Sequence, residues 1–84
     1  VVSIGTLDSS ILNPREIFKD ALSVNASSFV VLHNHPSGDP SPSLDDKTVT
    51  KRIKSSSELL GIPILDHIII GDNRYFSFRE SGLL

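Results

Sequence analysis

Phe29-Val30-Val31-Leu32-His33-Asn34-His35-Pro36-Ser37-Gly38-Asp39-Pro40-Ser41-Pro42-Ser43-Leu44-Asp45-Asp46 is the stretch that decides the fold of this chain. Its first four residues are apolar and partly β-branched, which reads as a short buried strand. Residues 36 to 43 hold three prolines, one glycine and three serines, a loop with little conformational freedom. Ser43 then opens a helix-like run. The order places two histidines at a strand exit and an aspartate in the first turn of the helix that follows. Residues two apart on a strand share a face, so His33 and His35 present their imidazoles together and Asn34 points away. Two neutral imidazoles and the Asp46 carboxylate can converge on one ion with bonds of about 2.0–2.1 Å. Nitrogen and oxygen donors without sulfur suit Zn²⁺. Three protein ligands leave a position for water, whose pKa on zinc falls to about 7, and that chemistry hydrolyses amides and esters. A structural alternative stands beside it: Ser43-x-x-Asp46 is also a capping box, and Asp46 gains from the helix N-terminal field with or without an ion.

Working outward, Asn13-Pro14 is a helix start, with Asn as cap and Pro in the first turn. Ile17, Phe18, Ala21, Leu22 and Val24 recur at helical spacing, predicting a helix over 14–24 with Ile17, Ala21 and Val24 on one stripe. Before it, Val1 to Ile4 reads as the end of a strand, and Gly5, Thr6, Asp8, Ser9 and Ser10 as a polar connection. The second helix is predicted over 43–60, with Leu44, Val49, Ile53 and Leu60 facing inward and Gly61 as its C-cap. Its Lys47, Lys51 and Lys54 form a basic stripe, read as a solvated face, with a phosphate or acidic-partner contact as the alternative. Ile64 to Ile70 is a strand, Gly71-Asp72-Asn73 a hairpin turn, and Arg74 to Phe78 the partner strand. His67 is read as a strand histidine making an ordinary hydrogen bond, with a supporting place beside the metal ligands or a substrate contact as the alternative. The predicted order is β-α-β-α-β-β, an α/β chain with a mixed sheet.

The chain's 84 residues fit one domain or part of one. It contains no Met and opens directly on a strand-like run, which suggests a fragment. Cysteine is absent, so disulfides and thiolate ligands are excluded, in keeping with a reducing, cytoplasmic compartment. No run approaches the ~18 apolar residues of a membrane span. The net charge of −2 lacks the basic surplus typical of nucleic-acid binding.

His33-x-His35-Pro36 followed by Ser43-x-x-Asp46 resembles the JAMM (MPN+) metalloprotease motif. The fuller string through Ser37-Gly38-Asp39-Pro40 and Pro42-Ser43 resembles the RadC family within that group. So do Pro14-Arg15-Glu16-Ile17-Phe18-Lys19 and Leu65-Asp66-His67-Ile68-Ile69-Ile70-Gly71-Asp72. The resemblance implies a cytidine-deaminase-like JAMM/MPN fold, zinc on His33, His35 and Asp46, and an oxyanion-stabilising role for Ser43. It also implies a general-base glutamate on a strand segment that would precede Val1. Glu16, Glu58 and Glu80 are the chain's glutamates, and none occupies that place in the pattern. The missing strand would leave a sheet edge open to a second copy.

Three functional readings follow. The first is a zinc-dependent hydrolase acting on a peptide or isopeptide-like amide. The second is a non-catalytic MPN-type scaffold. The third is a DNA-repair or recombination accessory protein, in keeping with the family's name.

Overall fold

The structure is a computed structural model that describes residues 1–6 and 12–84. The connection read from Asp8, Ser9 and Ser10 lies outside them. The elements are β1 (Val2–Thr6), α1 (Pro14–Ser23), β2 (Phe29–Asn34), α2 (Leu44–Leu60), β3 (Ile64–Ile70) and β4 (Tyr75–Ser77), in the predicted order. They form one mixed sheet of order β1-β2-β3-β4, in which β1, β2 and β3 run parallel and β4 is antiparallel to β3.

The boundaries follow local chemistry. The Asn13 side chain accepts from the Arg15 N–H at 3.0 Å and Pro14 occupies the first turn, where its missing N–H costs nothing. Ser43 caps α2, and Gly61 ends it at φ 72°, a left-handed conformation that costs glycine little. β1 runs to Thr6, further than the few residues expected, because each position from Val2 to Thr6 finds a register partner on β2.

Both crossovers step in the same direction across the sheet, and connections of one hand then put both helices on the same face. The core lies there. Ile4, Phe29, Val31 and Ile64 of the sheet pack against Ile17, Phe18 and Ala21 of α1 and Ile53 of α2. Phe18 meets Phe29 edge to face, centroids 5.5 Å apart, a favoured aromatic geometry.

Four expected core residues are exposed instead: Leu22 and Val24 near the end of α1, and Leu44 and Leu60 at the two ends of α2. Val24 is already the C-cap of α1. α2 buries Asp46, Thr50, Ile53 and Ser57, a stripe at helical spacing made mostly of polar residues. Choosing inward positions by apolar identity found Ile53 and the partly buried Val49 but misplaced both ends of this helix and missed the polar residues of its packing face.

Candidate metal centre

β2 buries alternate residues, Phe29, Val31 and His33, so His33 continues the apolar row and is fully buried. His35 follows just past the strand. Its N–H donates to the Ile70 carbonyl at 3.0 Å, which keeps it in line with the sheet. The two imidazoles meet edge to face with centroids 4.8 Å apart, as the two-residue repeat requires.

The loop that follows is braced against the β3–β4 hairpin. The Gly38 carbonyl accepts from the Asp72 N–H at 2.8 Å and from the Arg74 guanidinium at 3.4 Å. Gly38 itself has φ 85°. A side chain at Gly71 would begin 2.3 Å from the Gly38 carbonyl oxygen, so the two backbones touch there and only glycine fits. Within the loop the Ser41 N–H donates to the Asp39 carboxylate at 3.0 Å. That bond, with the Ser41 side chain, holds Asp39 below the usual carboxylate range.

The loop returns the chain over the strand ends, and α2 starts beside the histidines. Asp46 stands in its first turn with a complete capping box. The Ser43 hydroxyl accepts from the Asp46 N–H at 3.0 Å, and Asp46 Oδ2 accepts from the Ser43 N–H at 2.8 Å. The same carboxylate faces both histidines, with Oδ1 at 3.7 Å from His33 Nδ1 and Oδ2 at 3.2 Å from His35 Nε2. One ligand atom from each of His33, His35 and Asp46 lies within 4.8 Å of the others. Capping and ligand geometry are thus compatible in one side chain.

The donor set suits a small divalent cation. Bonds of about 2.0–2.2 Å at tetrahedral angles put donors roughly 3.3–3.6 Å apart; each histidine lies close to that distance from a different oxygen of Asp46, and one donor from each residue falls within 4.8 Å of the others. His35 Nδ1 lies 3.0 Å from the Asp39 carbonyl. A carbonyl only accepts, so Nδ1 carries the hydrogen and a neutral ring turns the Nε2 lone pair toward Asp46 Oδ2. Two lone pairs at that distance repel unless a proton or a metal cation lies between them. A carbonyl on the far nitrogen is also how metal-bound histidines are oriented.

His35, Pro36, Ser37, Ser43 and Asp46 line an open cleft of ≈ 370 Å³, so a ligand can approach from the Ser43 side. None of the three glutamates lines it. Glu16 lines a different cleft with Ile4, Gly5 and Val31, Glu58 lies 4.0 Å from Lys54, and Glu80 accepts from the Tyr75 hydroxyl at 3.3 Å. The basic stripe is split as well: Lys54 faces Glu58, while Lys51 shares a cleft with Arg15 and Arg52.

His67 proves to be a neighbour of the centre. Its Nδ1 is 2.7 Å from Thr50 Oγ1, and its ring stacks between His33 and Phe78, centroids 5.5 and 4.5 Å away. Thr50 is the residue that sequence reasoning missed. Its signal was its spacing, one helical turn after Asp46 on the same face. Burial pushes the His67 imidazole down to about 4; nearby His33 and, more weakly, His35 add to this, while Asp46 and Asp66 oppose it.

Residues 1–83 match the family model described as the RadC-like JAB domain. The chain is 58% identical over 83 residues to a UPF0758 protein of Bacillus licheniformis. It is 56% identical over 84 residues to one of Methanosarcina mazei and 53% identical over 83 residues to one of Desulfitobacterium hafniense. These alignments cover 99–100% of this chain and 37% of each relative, so it spans little more than a third of their length. The mixed sheet with two helices agrees with the JAB/MPN fold, and the motif at His33, His35, Ser43 and Asp46 lies inside the matched region: this chain belongs to the RadC-like JAB domain family.

Proposed function

We propose that this chain is the metal-binding core of a zinc-dependent hydrolase that cleaves an amide bond, peptide or isopeptide, with the ion held by His33, His35 and Asp46. The observation that carries the reading is the convergence of those three donors from two separate elements at the wall of an open cleft. When bound, such an ion supplies a Lewis acid and a water acidified toward neutral pH. The protein supplies the positions. The Asp39 carbonyl orients His35, the Ser43 N–H orients Asp46, and the loop braced on the β3–β4 hairpin holds both in place.

Ser43 accepts one bond from the Asp46 N–H, and its own hydroxyl proton remains available to donate into the cleft it lines. It is suited to stabilise an oxyanion there. The general base on this reading is a glutamate supplied by the longer protein, and the substrate is a peptide or protein segment entering the cleft. β1 lies at the sheet edge, where the upstream strand, or in its place a second copy of this chain, would pair.

Metal analysis of the chain purified without chelator, beside His35→Ala and Asp46→Asn, tests the centre. Asn keeps an acceptor for the Ser43 N–H while removing the charge. About one zinc per chain, lost in both variants with the fold intact, is the expected result. No binding after zinc addition would overturn the reading. It would favour the scaffold alternative, which the complete capping box supports, with His35 and Asp46 as a plain ion pair.

A further inference from the structure

We infer that Thr50 and His67 form a positioning pair that sets the distance between the metal ligands, locking the ligand-bearing turn of α2 to the sheet and fixing the ring plane of His33. This rests on the metal reading above.

The ligands ride on different elements. His33 and His35 belong to β2 and its exit, and Asp46 to the first turn of α2. Their separation therefore depends on how that turn docks. Thr50 spans the joint: its hydroxyl donates to the Asp46 carbonyl at 2.6 Å and lies 2.7 Å from His67 Nδ1. A hydroxyl has one proton, so with that proton on the carbonyl, His67 Nδ1–H must be the donor to Thr50. β3 thus grips the peptide of the ligand residue itself.

The ring of His67 does a second job. It lies 22° from parallel to His33 at 5.5 Å and 2° from parallel to Phe78 at 4.5 Å. His35 meets His33 edge to face at 4.8 Å, so two rings pack on His33.

The arrangement carries a local cost that packing alone does not explain. His67 is fully buried, and its Nε2 has no hydrogen-bond partner among the described residues. An apolar ring would fill the same stack without orphaning a polar atom. What phenylalanine cannot supply is the Nδ1 donor. A buried group that breaks a local rule is where a functional constraint is expected.

Zinc and cobalt(II) titrations of this chain test the pair, using Thr50→Val, Thr50→Ser, His67→Phe and His67→Asn, with melting curves in chelator. Asn places an amide N–H where Nδ1 lies, and Phe keeps the stack. Thr50→Val and His67→Phe should each weaken binding about 10- to 100-fold, the usual effect of removing support behind a ligand, and shift the cobalt d–d bands. Thr50→Ser should stay within about threefold of the parent, and His67→Asn, which keeps the donor but loses the stack, should recover only part of the affinity lost in His67→Phe. His67→Phe should melt at or above the parent without metal, so that affinity and stability move in opposite directions. Long-range ¹H–¹⁵N spectra should show the hydrogen of metal-free His67 on Nδ1.

Unchanged affinity in folded His67→Phe and Thr50→Val would overturn the inference and leave the metal centre standing. So would an Nε2–H tautomer, or losses that merely track melting temperature. A parent that binds no ion would overturn the centre itself, and the pair with it.

Discussion

At the scale of single residues, the site is economical: Ser43 and Asp46 cap a helix and face the cleft with the same atoms. A capping pair leaves a clear energetic mark. Ser43→Ala removes the acceptor of the Asp46 N–H and should cost about 1 kcal/mol, read as a lower urea midpoint in chelator. Zinc should stabilise the parent against urea by mass action and add less in this variant, because the first turn then holds Asp46 more loosely. Equal midpoints with and without Ser43 would mean that the cap contributes nothing. The motif spelled out the cap in advance and named the three side chains that the structure gathers at the candidate metal centre. It did not reveal that Asp39 matters through its carbonyl, since a main-chain acceptor has no side-chain signature.

At the scale of elements, two features position the centre. One is the unusual inner face of α2, where Asp46, Thr50, Ile53 and Ser57 are buried while Leu44 and Leu59 are 78% and 87% exposed. Leu44→Ala should therefore change stability by no more than about 0.5 kcal/mol, whereas Ile53→Ala, which empties a fully buried site, should cost about 2–5 kcal/mol. Denaturant curves of the pair check the orientation of the helix directly. The other feature is the contact of Gly71 with Gly38. Gly71→Ala drives a methyl into a backbone oxygen at 2.3 Å and should cost about 1–3 kcal/mol. It should also weaken metal binding, because the displaced strand end carries the Ile70 carbonyl that fixes the His35 N–H. Wild-type stability and affinity in that variant would show that the hairpin is a bystander.

At the scale of the whole molecule, the helices cover one face of the sheet. The other presents Val30, Leu32 and Ile68 half-buried and Ile70 and Tyr75 exposed. The covered face holds the buried histidines, which makes the stability of the metal-free chain sensitive to acid. The folded imidazole of His67 titrates near 4, below the ~6.5 of an unfolded histidine. Between those values the unfolded chain binds a proton that the folded chain refuses. Stability is then complete above about pH 6.5 and falls as pH drops toward 4, by up to about 1.4 kcal/mol per pH unit. Urea midpoints in chelator at about pH 7, 5.5 and 4.5 check this, and His67→Phe should flatten the profile. A parent and variant with the same slope would place the acid sensitivity elsewhere. The fold also has no helix long and apolar enough to cross a membrane among the described residues.

The sequence by itself determined the order of elements, the capped starts of both helices, the Gly61 stop of α2 and the four motif residues of the candidate site. These depend on short-range rules: strand alternation, caps, turn residues and fixed spacing along one loop. Tertiary structure decided which way α2 faces, that Thr50 and His67 join behind the ligands, and that Gly38 and Gly71 meet. Each of these depends on residues far apart in the chain, 17 positions for Thr50 and His67. Their chemical types, a threonine, a histidine and two glycines, each have ordinary local explanations. Only the docking of α2 and the hairpin against the sheet makes them parts of one centre.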